Sequence, residues 1–178
     1  KEIAGHILIR ISREVESDVR AHLARKLSTS PNAPKDLILA LAMDQIEVAA
    51  PVIAHSPLLD EQDLISIVTG KTREHRLRIA MRSGITAAVS NVLVKSNEPD
   101  VLEGLVKNNS AEISEAAMQY LVAESKSLEN LRGPLIGRAD LPDALAQKML
   151  EFVSASLKQQ ILSNYTIDQD AIDAALSD

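Results

Sequence analysis

Apolar side chains recur along this chain at a fixed interval of 26 residues. Leu27, Ile53, Ile79 and Leu105 stand at equal spacing, and Leu41, Ile67 and Leu93 follow the first three by 14. Inside each interval the apolar residues fall at i, i+3 and i+4, which is one face of a helix, and Gly or Pro falls between the faces. In the second interval Val48, Val52 and Ile53 mark one face and Ser56-Pro57 ends it. Asp60 is placed to cap a second helix, whose face is Leu64, Ile67 and Val68 and whose stop is Gly70. In the first, Leu23 and Leu27 precede a break over 28–33, then Pro34 stands at a first helical position before Leu37, Ile38 and Leu41. The third has Ile79, a turn at Ser83-Gly84, then Val89, Val92 and Leu93. Such self-similarity is the mark of stacked supersecondary units. The pattern predicts an all-α fold, a right-handed α-solenoid (α-α superhelix) of about five two-helix repeats near 19–45, 46–71, 72–98, 99–129 and 130–162.

The ends of the pattern depart from it. In the fourth repeat the internal spacing grows from 14 to 16, between Leu105 and Leu121, which places two added residues around 110–112. Two more enter before Leu135, and Leu135 to Met149 then recovers 14. The second helix of this fifth repeat is expected to start at Pro142 and run unbroken to about Leu162, since terminal repeats must cover the exposed face of a stack. Residues 2–15 (Ile7, Leu8, Ile11, Val15) read as a partial N-terminal repeat, and 163–178 as an acidic C-terminal tail with room for one short helix. Pro51 and Gly133-Pro134 fall within first helices and are expected to shorten or kink them. A leucine-rich repeat also admits this period, but it needs an L-x-x-L-x-L strand followed by Asn, and no copy has one.

Several stretches carry a resemblance. Ala33-Pro34-Lys35-Asp36-Leu37, the run from Ala42-Met43-Asp44-Gln45-Ile46 to Val52, Ser56-Pro57-Leu58-Leu59, His75-Arg76-Leu77-Arg78-Ile79-Ala80 and Arg138-Ala139-Asp140-Leu141-Pro142 are similar to the domain-of-unknown-function 2336 family of alphaproteobacteria. The likeness covers about residues 15–150 and is most specific over 33–80. A looser likeness extends to HEAT-like helical repeats and the leucine-rich-repeat variant. The resemblance implies a bacterial, cytoplasmic protein of helical repeats, and it supplies no catalytic residues. Where the family pattern often has Arg before the proline, this chain has Ala50.

Composition narrows the partners. Of 178 residues 46% are apolar, yet the aromatics are only Phe152, Tyr120 and Tyr165, so the core is aliphatic and suits closely spaced helices. Cysteine is absent, which removes disulfides and thiolate metal sites. The net charge of −6 argues against a nucleic-acid surface, which needs clustered Lys and Arg. No apolar run approaches the ~18 residues of a membrane span and no signal pattern opens the chain, so a soluble, cytoplasmic protein is expected. The start at Lys1 rather than Met suggests a piece of a longer protein.

The register allows equivalent positions to be compared. Three residues after each core position stand Ser30, Ser56, Arg82, Asn108 and Arg138, a polar ladder at the ends of the first helices. Such groups can grip a carboxylate or peptide backbone of a partner, or they can close their own helices by bonding orphan carbonyls. Residues 71–82 carry Lys71, Arg73, Arg76, Arg78 and Arg82 against only Glu74, a basic patch that would receive an acidic partner, pair within the chain or pair across a homodimer. His75 sits in an otherwise apolar register and reads as a core residue bonded to a carbonyl. His6, His22 and His55 offer it no metal-ligand spacing, and no phosphate loop, G-x-S-x-G or S-x-x-K occurs.

These patterns point to no catalytic residue, metal or cofactor, and to a non-catalytic protein–protein interaction module, a regulatory or signalling scaffold. Arg73, Arg76, Arg82, Asn108 and Arg138 are its candidate contacts with a protein or peptide. The alternatives are nucleic-acid binding through residues 71–82, and a small-ligand or enzymatic pocket around His75 and Arg82.

Overall fold

The structure, a computed structural model, describes residues 16–176. The partial repeat expected at 2–15 lies outside the described residues. Among those described are twelve α-helices and no strand: α1 Ser17–Leu27, α2 Lys35–Ala42, α3 Ile46–His55, α4 Glu61–Gly70, α5 Arg73–Ala80, α6 Ala87–Val94, α7 Pro99–Lys107, α8 Glu115–Glu124, α9 Arg132–Ile136, α10 Asp143–Met149, α11 Ala155–Asn164 and α12 Gln169–Leu176. Two compact units divide the chain between Glu112 and Ile113.

In the first unit α1, α3, α5 and α7 are successive neighbours, and α4 packs on α6. Helices from equivalent halves of consecutive repeats therefore lie side by side. Ile53, Ile79 and Leu105 are wholly buried, as are Ile67 and Leu93, whereas Leu27 is half-buried beside small buried residues, Ala21 and Ala24. Local chemistry sets the boundaries. Asp60 accepts from Asp63 N–H while the Asp63 carboxylate accepts from Asp60 N–H, a reciprocal cap that starts α4. Pro34 stands one residue earlier than expected, as the residue that caps α2. Gly84 turns the chain at φ +68°, a left-handed conformation costly for any residue with a Cβ. Pro51 neither shortens nor ends α3, which keeps ten residues around it. The two extra residues of the fourth repeat bridge back to the loop before it: Gly84 N–H donates to Ser110 Oγ (3.2 Å) and Glu112 N–H to Ile85 O (3.0 Å).

The second unit holds α8 to α12, with α8 against α10 and α9 against α11. Gly133-Pro134 does shorten its first helix: a single 3-10 turn over Glu129–Leu131 leads into the five-residue α9. The expected unbroken helix from Pro142 to Leu162 is instead two helices. α10 ends at Met149, the chain turns through Leu150 and Val153, both buried, and α11 begins after Ser154 in an extended conformation. The break lets α11 fold back onto α9. The turn brings Ile161, 26 residues after Leu135, into full burial on the α9 side, so the period resumes. The α12 helix lies in the acidic segment.

Candidate functional site

The polar ladder is built into the repeats. Arg82 donates from Nη1 to Ile53 O and from Nη2 to Ser56 O (2.7 Å), and Asn108 Nδ2 donates to Ala80 O (2.8 Å) and Arg82 O (2.7 Å). Each thus satisfies carbonyls at the C-terminal end of the first helix of the preceding repeat, α3 and α5 respectively. The expectation that these side chains close their own helices is corrected: they close the neighbour's, because the end of one helix abuts the next repeat's polar position. In the second unit the Tyr165 hydroxyl lies 2.6 Å from Ile136 O and 2.9 Å from Arg138 O and closes α9 the same way. Arg138 is 2% exposed and makes a forked pair with Asp140, Nε to Oδ1 and Nη2 to Oδ2, both at 2.7 Å.

A second set of arginines stands three residues before the core position. Arg76 donates from Nη1 to Lys71 O (2.6 Å) and Val68 O (3.3 Å), closing α4, and forks onto Glu98 with Nη2 to Oε1 at 2.7 Å. Arg132 donates to Ser125 O and Lys126 O, both at 2.8 Å, closing α8. Ala50 holds the corresponding position in the second repeat. The Arg76 guanidinium holds the Glu98 carboxyl below the usual range, against a smaller opposing effect of burial. Burial pushes the Arg82 guanidinium down from its ordinary value.

What remains outward is a narrower surface. Arg73 is 58% exposed and lies 3.6 Å from Asp100, Arg78 is exposed with no partner among the described residues, and Met81 is 60% exposed. Met81 borders an open cleft of about 370 Å³ between the ends of α5 and α7, with Gly104, Lys107, Asn108, Asn109 and Ser110. Gly104 lets the two helices approach, since a Cβ there would stand 3.0 Å from Leu77 Cδ1. Asn108 lines this cleft, Arg73 stands at the opposite end of α5 beside Asp100, and Arg76 and Arg82 point their guanidiniums at backbone. Met81 was not among the residues the sequence singled out. The signal was available: two after the core position stand Thr29, His55, Met81, Lys107 and Gly137, and Met81 is the one large apolar residue in the row.

His75 is 2% exposed, with Nε2 2.8 Å from Asp44 O and Nδ1 2.9 Å from Thr72 Oγ1. A carbonyl only accepts, so Nε2 carries a proton and both ring nitrogens are engaged, as expected for a carbonyl-bonded core histidine. Arg20 holds Asp44 from the other side, Nε to Oδ2 at 2.7 Å. Burial alone would raise the Asp44 carboxyl, but Arg20 and the Gln45 N–H outweigh it and keep it low. Among the described residues no three His, Asp or Glu converge to hold a metal ion, and no helix is long and apolar enough to cross a membrane. His6 lies outside the described residues.

Comparison with known families gives one match. The profile described as an uncharacterised protein conserved in bacteria, DUF2336, matches residues 48–178. The match begins within α3 and includes the acidic segment, so the run 33–47 that carried part of the resemblance falls before it. No curated protein and no solved structure matches the chain.

Proposed function

The chain belongs to this bacterial family, DUF2336, and from that premise we propose that it is a non-catalytic protein–protein interaction module, a regulatory or signalling scaffold. One observation carries the reading: Met81, a large apolar side chain, is exposed on the rim of an open cleft, three residues after the exposed Arg78. An exposed methionine adapts to varied partner shapes, and adjacent cations favour a segment bearing carboxylates. The pairwise packing of equivalent helices supports a HEAT-like solenoid for the first unit, whose right-handed winding is part of the proposal, and such repeats commonly bind peptides or helices along their length. An alphaproteobacterial source, a cytoplasmic setting and a homodimer belong to the same proposal.

The geometry gives less to the alternatives. Nucleic-acid binding needs a free basic stripe, and Arg76 and Arg82 of the patch are turned onto backbone carbonyls and Glu98. An enzymatic pocket at His75 would need a ring nitrogen left over, and both are bonded. The test is capture of partners from a bacterial lysate on immobilised chain, with Arg78→Glu and Met81→Asp as paired controls. These replace reversals at Arg76 or Arg82, which would damage the repeats themselves. A captured protein lost on either substitution supports the reading; an identical set on all three chains sinks it.

A further inference from the structure

The second unit carries an independent feature that the candidate ladder does not use. A cleft of about 370 Å³ opens between α8 and α10, with Val122, Leu145 and Phe152 as its apolar lining and Lys126 and Lys148 among its walls. Phe152 is the one phenylalanine of the chain, and it is only half-buried. Lys126 Nζ and Arg132 Cζ each stand 5.5 Å from its ring centroid. Arg132 is fixed there by its bonds to Ser125 O and Lys126 O and its pair with Glu129. Lys126 and Lys148 are exposed, and neither has an acidic partner among the described residues. One acid, Glu151, lines the same cleft.

We propose that this cleft docks an acidic amphipathic segment of a partner protein, one apolar side chain resting on Val122, Leu145 and Phe152 and its carboxylates meeting Lys126 and Lys148. The charge argument is local: the chain as a whole carries −6, so two exposed lysines without an ion pair among the described residues mark this cleft out. Two ammonium groups stand on this part-apolar cleft, neither ion-paired with Glu151, and a partner carboxylate between them reduces their mutual repulsion. A free inorganic anion has no use for the apolar lining, and a nucleic acid would need the basic residues to continue as a stripe. The groove lies between two neighbouring helices, the usual seat for an amphipathic helix. This deepens the interaction reading by giving the second unit its own partner chemistry, and it shares no residue with the Met81 cleft.

The experiment uses the full chain and two fluorescein-labelled amphipathic peptides, one of Leu and Glu and one of Leu and Lys, followed by fluorescence anisotropy at low and high salt. The Leu–Glu peptide is expected to bind at least about tenfold tighter than the Leu–Lys peptide, to weaken with salt, and to lose about tenfold with K126E or K148E. Both substitutions are at exposed positions, so the melting temperature should not move, and M81D should leave this binding intact. Equal binding of the two peptides, or indifference to both lysine reversals, overturns the proposal. Tighter binding of a labelled peptide of residues 166–178 than of the Leu–Glu peptide also overturns it, because the occupant would then be a second copy of this chain. Loss of lysate partners with M81D alone, with the anisotropy unchanged, separates failure of one cleft from failure of the other.

Discussion

Arg82 shows how one side chain can join two repeats. Its planar fork meets two carbonyls at the end of α3, both on wholly buried residues, Ile53 and Ser56. Arg82→Ala is expected to lose about 2 kcal/mol in urea unfolding, since two buried acceptors lose their donor. Arg82→Lys should recover only part of this, because an ammonium lacks the fork. Equal stability of all three chains would contradict the latch. Met81→Asp is expected to change stability by less than about 0.5 kcal/mol, as an exposed residue outside any buried network. At this scale the sequence showed which residues were polar within the ladder. It did not show whose carbonyls they reach, because the acceptors of Arg82 and Asn108 lie 26 to 29 residues away and belong to the neighbouring repeat.

At the scale of elements, apolar period and punctuation were enough to place most helices, and the failures are instructive. The break between α10 and α11 was missed because Ala146, Met149, Leu150 and Val153 continue the i, i+3, i+4, i+7 pattern of one helix. Packing against α9 overrides that local pattern, and the legible signs were Ser154 at a cap position and Ile161 on the 26-residue period. Ile161→Ala is therefore expected to cost about 2–5 kcal/mol by thermal or urea unfolding, as for a core residue, and a cost near zero would dissolve the docking of α11. Gly104 is the counterpart in α7. Gly104→Ala should be close to neutral, with ~1 kcal/mol gained in helix propensity set against a tight contact to Leu77 Cδ1. Gly104→Val adds branches to that contact and should destabilise by about 1–3 kcal/mol.

At the scale of the molecule, the first unit carries three carboxylates held low by basic neighbours. Glu98 is kept below its ordinary value by Arg76, Asp60 by Lys35, and Asp44 by Arg20 against its own burial. A group depressed in the folded state stabilises above its unfolded pKa, and that contribution disappears as pH falls through the folded value. The melting temperature should therefore be nearly flat above about pH 5 and fall steadily below about pH 4. Glu98→Gln should flatten the part of the acid loss owed to the Arg76 pair. A melting temperature unchanged down to pH 3 would show that these pairs do not act together on stability.

The 26-residue interval by itself determined that the chain is helical, that helices come in pairs, and which aliphatic residues enter the core. It did so because burial follows a local period that any stretch of sequence displays. What tertiary structure alone decided is the use of the polar positions. Arg82 and Asn108 find their acceptors only when repeats lie side by side, and Arg76 only when α5 folds back on the end of α4, so residues that look like a surface for partners became joints within the first unit. Met81, Lys126 and Lys148 stand out for the opposite reason: packing leaves them exposed, with no acid paired to either lysine among the described residues, and that is visible only once the neighbours have been placed.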